Sequence, residues 1–190
     1  VHSKRVKMSP DVDLEKLARG TPMFSGADLA AIINEAAISA TLQNKEFVEQ
    51  VDLEEARDKT REFLEERTPE LAPNLSNLAG PVLAARLVAL AGGLEELAEK
   101  PAGTVQVLGA EDALFAHLKG NAPSPKHGVI FTHEYVRGTP PDDRGSAARA
   151  LAGKLAIAAR IDHYSGAFKQ SVHDDLDDRM ATIRDREGGE

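Results

Sequence analysis

The sequence contains no cysteine and no tryptophan, and these absences exclude several classes of protein. Without cysteine there is no disulfide, no thiol nucleophile and no thiolate metal site. Aromatic residues make up only 4% of the 190 residues, so a core has to be built from alanine, leucine, isoleucine and valine, which suits packed helices. The longest apolar run, residues 81–93, is interrupted by Arg86 and is too short to span a membrane. We therefore expect no membrane contact and a reducing, cytoplasmic setting, or a recombinant protein.

Catalytic motifs are missing as well. The sequence has no G-x-x-x-x-G-K-[ST] loop to bind phosphates and no H-E-x-x-H zinc motif. His127 and His133 alone are too few for a metal site, and the acidic run at residues 174–178 lacks the glycine and glutamate of a calcium loop. We therefore expect no catalytic residue, no metal, no cofactor and no small-molecule substrate, which means that the protein is not an enzyme.

Charge is distributed unevenly along the chain. The net charge is −8, which argues against a protein that coats nucleic acid through bulk charge. Residues 125–160 nevertheless carry 6 Lys+Arg against 3 Asp+Glu. This basic segment indicates where a polyanion could dock, although a stretch of this length can also reach such a balance by chance.

The first sixty residues have the pattern of a small helical bundle. Ser25 is placed as an N-cap for the helix that follows, and residues 29–40 carry an apolar stripe at helical spacing. A further helix, EEARDKTREFLEER, occupies residues 54–67 after the predicted N-cap Asp52. Its expected buried stripe consists of Leu53, Ala56, Thr60, Phe63 and Leu64.

Residues 61–190 also have the pattern of helices. Prolines in TPELAPN predict a break after REFLEER, and GTVQVLG is interpreted as a short apolar connector. The segment GAEDALFAHLKGN predicts a helix stopped by Gly120, and NAPSPKHGVIF predicts a loop. A long helix is predicted from about Pro140 to Tyr164, followed by an acidic amphipathic helix. We therefore expect an all-α fold of two small helical modules, residues 1–60 and 61–190, joined through a continuous shared helix.

The N-terminal module resembles the helical lid subdomain of an FtsH-type AAA+ ATPase. The resemblance rests on FSGADLAAIINEAA and EEARDK, with Met23 where that family usually has glycine. It implies that the turn at residues 25–28 would lie near the adenine of a nucleotide. Because the phosphate-binding loop is missing, we expect no nucleotide site.

The C-terminal module resembles the Nop domain of archaeal box C/D ribonucleoprotein core proteins. The resemblance rests on LAPNLSNLAGPVLAARLVALAGGLEELA, VQVLGAEDALFAHLKG, PSPKHGVIFTHEYV and RGSAARALAGKLAIAARID. It implies an α-helical domain that recognises kink-turn RNA already bound by a small ribosomal-protein-like partner. The residues implied to contact that ligand are Gly109, Ala110, Glu111, Lys126, His127, Gly128, Arg144, Arg149 and Lys154. The alternatives are that Arg149 and Lys154 are solvated side chains lying over an alanine-rich helix and that His127 caps a turn.

Three hypotheses follow for the whole chain. The first is an engineered, monomeric chimera of an AAA+ lid fragment and a Nop domain, without enzymatic activity and spliced near Thr60. The second is an RNA- and ribonucleoprotein-binding module acting through the Nop-like surface. The third is a natural protein in which a lid serves as a docking unit for another protein. The fibrillarin-binding domain and coiled coil of the Nop family do not occur in this sequence, so we expect no recruitment of a methyltransferase through them.

Overall fold

The computed structural model describes residues 6–21, 24, 26–120 and 122–185. In this part of the chain the regular secondary structure is helical, apart from an isolated bridge between Met8 and Val48. The chain divides into two compact units, Val1–Glu65 and Glu66–Glu190. The prediction of an all-α fold with two helical modules is confirmed. The helices are α1 (Leu14–Arg19), α2 (Gly26–Leu42), α3 (Gln50–Leu71), α4 (Pro73–Ala79), α5 (Pro81–Ala91), α6 (Leu94–Glu99), α7 (Ala102–Val107), α8 (Glu111–Leu118), a 3-10 helix η1 (Val129–Thr132), α9 (Glu134–Arg137), α10 (Arg144–Tyr164) and α11 (Ser171–Asp185).

The first unit is built around the apolar stripe predicted for α2. Asp13 caps α1 by accepting a hydrogen bond from the Lys16 N–H at 2.9 Å, and the helix ends at Gly20 as expected. Ser25, the predicted N-cap of α2, lies outside the described residues, as does Met23. The buried core consists of Leu17, Ile32, Ile33, Ala36, Ala40, Val48, Leu53 and Ala56.

Helix α3 differs from the prediction in three ways. Asp52 is the third helical residue rather than the N-cap, and its carboxylate accepts the Glu49 N–H at 2.9 Å, as the third residue of a capping box does. Phe63 is 60% exposed, so its ring is not part of the buried stripe. The predicted break also falls too early, because α3 passes through Pro69, which removes one backbone donor, and ends at Leu71.

The second unit is organised around α10. This helix packs against α4, α6, α7, α9 and α11. It begins at Arg144, later than the predicted Pro140. Its buried face includes Ala148, Leu151, Leu155, Ala158 and Ala159, as the spacing predicts, whereas Ile161 is only half-buried.

Asp162 is a buried acid within that apolar face. Its carboxylate accepts hydrogen bonds from the backbone N–H groups of Asn74 at 3.0 Å and Leu75 at 2.8 Å, and from the Asn74 side-chain amide at 2.6 Å. Helix α4 begins at Pro73, and Ala72 contributes no side-chain cap. Asp162 therefore supplies from α10 the cap that the local sequence of α4 lacks.

The interpretation of GTVQVLG as a connector is wrong, because it contains α7. Pro101 occupies the N-cap position and Val105 is fully buried. Burial against α10 outweighs the weak helix propensity of the glycine and the β-branched residues in this segment. The isolated residue pattern could not show that packing.

Candidate functional site

Two of the segments predicted to bind a ligand lie against each other at the end of α7. The Gln106 side-chain amide donates a hydrogen bond to the Lys126 carbonyl oxygen at 2.7 Å. The Gly128 N–H donates to the Gln106 carbonyl oxygen at 2.8 Å, and the Val129 N–H donates to the Leu108 carbonyl oxygen at 2.9 Å. The loop at residues 126–128 is therefore fixed beside the turn at residues 109–111.

Gly128 is explained by close approach to backbone and Gly109 by its positive φ and a neighbouring side chain. A Cβ atom on Gly128 would lie 2.0 Å from the Leu108 carbonyl oxygen, which no side chain tolerates. Gly109 has a φ of +82°, and a Cβ atom there would lie 2.4 Å from Cγ1 of Val129. These two glycines are therefore required for the two segments to approach each other this closely.

Glu111 has a local structural role in this arrangement. It is the first residue of α8, and its carboxylate accepts the Gly109 N–H at 2.7 Å. Ala110 is the N-cap of α8, and its N–H donates to the Val107 carbonyl oxygen at 2.9 Å. Glu111 therefore stabilises the turn at residues 109–111.

An aromatic contact connects the loop to the start of α10. The rings of His127 and Phe131 are stacked, with centroids 4.6 Å apart and planes inclined by 19°. The guanidinium carbon of Arg144 lies 5.4 Å from the centroid of the Phe131 ring. Burial, together with the nearby charges of Arg144 and Lys126, lowers the pKa of His127 below its ordinary value. The environment of His127 therefore favours the neutral imidazole.

Lys126 and Arg144 place two cations beside this stack. Lys126 is exposed, and a Cβ atom on Gly145, at the start of α10, would lie 3.9 Å from its Cδ atom. The Arg144 Nε–H donates a hydrogen bond to the Thr139 carbonyl oxygen at 2.9 Å, which holds the guanidinium group at the end of the side chain. The basic loop and the first turn of α10 thus form one surface, as the charge pattern indicated. We call this surface, consisting of Lys126, His127 and Arg144, the cationic site.

Arg149 and Lys154 are not part of that cluster. Arg149 is exposed on α10, five residues after Arg144, which corresponds to about 140° of rotation around the helix. Lys154 is ten residues after Arg144, about 15 Å along the axis. It forms an ion pair with Asp175 at 2.7 Å, and its side chain is 23% exposed. Arg144, Arg149 and Lys154 therefore do not share one face of α10.

His133 stabilises the fold through two hydrogen bonds to backbone groups. Its Nδ1 atom accepts the Tyr135 N–H at 3.2 Å, so Nε2 carries the proton and donates to the Leu78 carbonyl oxygen at 2.9 Å. Burial lowers its pKa, which keeps the ring neutral. No cluster of three or more His, Cys, Asp or Glu able to hold a metal is found in the described residues. In the acidic run, Asp175 pairs with Lys154 and Asp177 accepts from the Tyr135 hydroxyl.

Sequence reasoning did not identify Gln106 or Phe131. Both hold the predicted site together without belonging to a motif that marks a ligand. The scarcity of aromatic residues could have pointed to Phe131, because it is one of only 6 phenylalanines and lies four residues after His127 in a segment that also contains Lys126. Residue spacing gave no indication that Arg144 would reach the same ring.

Within the described ranges no single helix is both long and apolar enough to cross a membrane. Only α4 and α5 together pass that test, on length and composition alone, and they are bent by 116° at the break between them.

The comparisons with known proteins give one consistent result. The Nop family model, described as "snoRNA binding domain, fibrillarin", matches residues 15–182. An uncharacterized NOP5 family protein of Methanocaldococcus jannaschii is 49% identical over 139 residues, covering 73% of this chain and 34% of that protein.

The chain belongs to the Nop family. Nucleolar protein 56 of Homo sapiens is 36% identical over 162 residues, 82% of this chain and 26% of that protein. A crystal structure of a fibrillarin/NOP5P complex matches with a TM-score of 0.61 and 32% identity, covering 90% of this chain and 64% of the other. The chain thus spans about a third or less of the length of these curated relatives.

The hypothesis of a designed chimera is wrong. The Nop family model runs from residue 15 to residue 182 and crosses the proposed seam at Thr60 without interruption. The solved relative likewise covers 90% of the chain. The FtsH-type lid is not supported for residues 1–60, and the hypothesis of a repurposed lid loses its basis with it. The resemblance rested on a helix start and an apolar stripe, which many small helical bundles share. The boundary of the two modules at residue 60 remains a prediction.

Proposed function

We propose that this chain is an RNA- and ribonucleoprotein-binding module and that the cationic site is the centre of its binding surface. The observation that carries the proposal is that the start of α10 meets the loop: Arg144 and His127 contact the same Phe131 ring, and the Lys126 side chain lies next to Gly145 in the first turn of α10. Arg149 lies about 140° around α10 from Arg144 and outside the cationic site. Lys154 would have to leave Asp175 before it could bind a phosphate.

The chemistry of the cationic site suits RNA. Lysine and arginine provide hydrogen-bond donors and positive charge for phosphate oxygens. A neutral imidazole offers a flat face on which an unpaired base can stack. An acidic chain with one basic surface is expected to bind a defined RNA structure rather than coat RNA along its length.

The comparisons support RNA and fibrillarin as partner classes. The family description names snoRNA and fibrillarin, and the solved relative NOP5P is in complex with fibrillarin. The small ribosomal-protein-like partner expected from the sequence is named in none of these descriptions. We propose kink-turn RNA with that small protein as the ligand of the cationic site, and fibrillarin as a second partner to be tested by co-purification.

A binding titration tests the proposal. The RNA affinity of the chain is measured by gel shift and fluorescence anisotropy, at several salt concentrations, with kink-turn RNA alone and with the RNA saturated by its small partner protein. We expect a supershift of the RNA–protein complex. Each of Lys126→Ala and Arg144→Ala should weaken binding and reduce the slope of log K against log salt by about 1.

Lys59→Ala is the matched control, since Lys59 is an exposed cation of the first unit and its loss changes the net charge equally. It should leave both affinity and salt slope unchanged. If the unmodified chain gives no supershift at low salt, where phosphate attraction is strongest, the proposed function is wrong.

We further propose that the chain acts by binding and is not itself an enzyme. We also propose that it acts inside the cell, where it meets RNA, because relatives are named nucleolar proteins. ATP turnover by the purified chain would contradict the first part of this proposal.

A further inference from the structure

We propose that Phe131 is the positioning residue of the cationic site, and that its ring holds His127 and Arg144 in the orientation in which they meet RNA. This inference rests on the proposed function and deepens it. Phe131 was not among the residues that the sequence marked as ligand contacts.

The geometry connects one ring to two side chains from different segments. The imidazole of His127 lies nearly parallel to the Phe131 ring at 4.6 Å, a distance at which offset aromatic rings attract. The Arg144 guanidinium lies 5.4 Å from the ring centroid, within the range of a cation–π contact. His127 lies in the loop at residues 126–128, and Arg144 is the first residue of α10. Phe131 therefore forms a bridge between them.

Phe131 is not placed like a core residue. Its neighbour Ile130 is fully buried and provides the apolar anchor of η1, whereas the Phe131 side chain is only half-buried. The Phe131 N–H donates to the Gly128 carbonyl oxygen at 3.1 Å, which fixes the backbone that carries the ring. A change of the ring consequently alters the surface as well as the packing beneath it.

Arg144 has two points of attachment, and both act on its guanidinium group. The Thr139 carbonyl oxygen holds the Nε–H at 2.9 Å, and the Phe131 ring limits the swing of the guanidinium plane. For His127, the stack with Phe131 limits rotation of the imidazole. The lowered pKa of His127, caused first by burial, agrees with a ring that is covered on one side.

Preorganisation gives the expected size of the effect. Holding a flexible side chain in its bound orientation before the ligand arrives removes an ordering penalty from binding. For two side chains held by one ring, we expect removal of the ring to weaken RNA binding about tenfold. The salt slope should stay unchanged, because Lys126 and Arg144 keep their charges.

The experiment compares Phe131→Leu, which keeps an apolar side chain but removes the ring, with Phe131→Tyr, which keeps the ring. Phe168→Leu, at an exposed phenylalanine after α10, is the matched control. Affinity for kink-turn RNA saturated with its small partner protein is measured by anisotropy on the full chain. The pKa of His127 is measured by NMR on the same proteins without RNA, and thermal unfolding checks that each variant is folded.

We expect Phe131→Leu to bind about tenfold more weakly with an unchanged salt slope, and the pKa of its His127 to rise toward the ordinary value. Phe131→Tyr and Phe168→Leu should match the unmodified chain in both measurements. Weaker binding with an unchanged His127 pKa would mean that the ring contacts RNA itself, and equal binding would mean that the ring positions nothing that RNA needs. Either result overturns the inference while leaving the proposed function intact. Failure of the unmodified chain to bind would instead overturn the proposed function and the binding role of Phe131 with it.

Discussion

Asp162 is 7% exposed, and its carboxylate accepts three hydrogen bonds from the first turn of α4. The same Asn74 side chain donates to the Ala167 carbonyl oxygen at 3.0 Å and accepts from the Lys169 N–H at 2.7 Å. One acid therefore connects α4, α10 and the segment that leads to α11. We expect this network to contribute strongly to the stability of the second unit.

The substitution Asp162→Asn keeps the volume of the side chain and turns one oxygen into an NH₂ group that cannot accept. A hydrogen bond between a buried donor and a charged acceptor is worth about 1.5–3 kcal/mol. The remaining bonds also lose the assistance of the charge, so we expect a total loss of about 3 kcal/mol in the free energy of unfolding. For a unit of roughly 125 residues the unfolding entropy is about 0.26 kcal/mol per kelvin, which lowers Tm by about 11 °C.

Thermal unfolding followed by near-UV circular dichroism provides the assay. Both tyrosines, Tyr135 and Tyr164, lie in the second unit, so the tyrosine signal reports its unfolding alone, whereas the far-UV signal reports all helices. Asp178→Asn, at an exposed acid of α11, is the control for the change in net charge. A decrease in Tm below about 3 °C, or one equal to that of the control, would refute the reasoning, since it corresponds to less than about 1 kcal/mol.

Three further predictions concern glycine, acid stability and a buried histidine. Gly128→Ala should lower the free energy of unfolding by about 1–3 kcal/mol, because a carbonyl oxygen would lie 2.0 Å from the new Cβ atom. Gly153→Ala in α10, where the new Cβ atom has no neighbour within 4 Å, should raise it by about 0.5–1 kcal/mol. Chemical denaturation measures both changes. Burial alone would raise the pKa of Asp52, but hydrogen bonds from Lys45 and a backbone N–H outweigh it and lower the pKa. The stability that this carboxylate provides should therefore be complete above its unfolded-state pKa and lost as pH falls through the lower folded-state value, and Asp52→Asn should remove that part of the pH dependence. His133→Ala should lower Tm without changing the salt slope of RNA binding, because His133 hydrogen-bonds two backbone groups of the fold.

The sequence predicted the long, regular helices well. The apolar stripes of α2 and α10 each repeat at helical spacing, and burial followed that spacing at Ile32, Ala36, Leu151 and Leu155. Short elements were predicted less well, since α7 contains six residues and forms through its packing on α10. Pro69 shows the same limit, because a proline signals a break but does not fix where the helix ends.

For the candidate site, local sequence marked the residue types and tertiary structure determined which of them meet. The basic segment at residues 125–160 was visible from charge alone; in the structure Arg144 lies over the Phe131 ring, and Lys126 lies next to the first turn of α10. Lys154 carries the same charge in the same segment, but the fold pairs it with Asp175. Spacing along the chain gives no information about such partners.

The sequence by itself determined the all-α class, the absence of thiol chemistry and the location of the basic segment, because these depend on composition and on periodicity within one helix. Only the tertiary structure decided that Asp162 caps α4, that Phe131 joins His127 to Arg144 and that α7 is a helix. Each of these depends on contacts between residues far apart in the chain, whose free energy no local pattern contains.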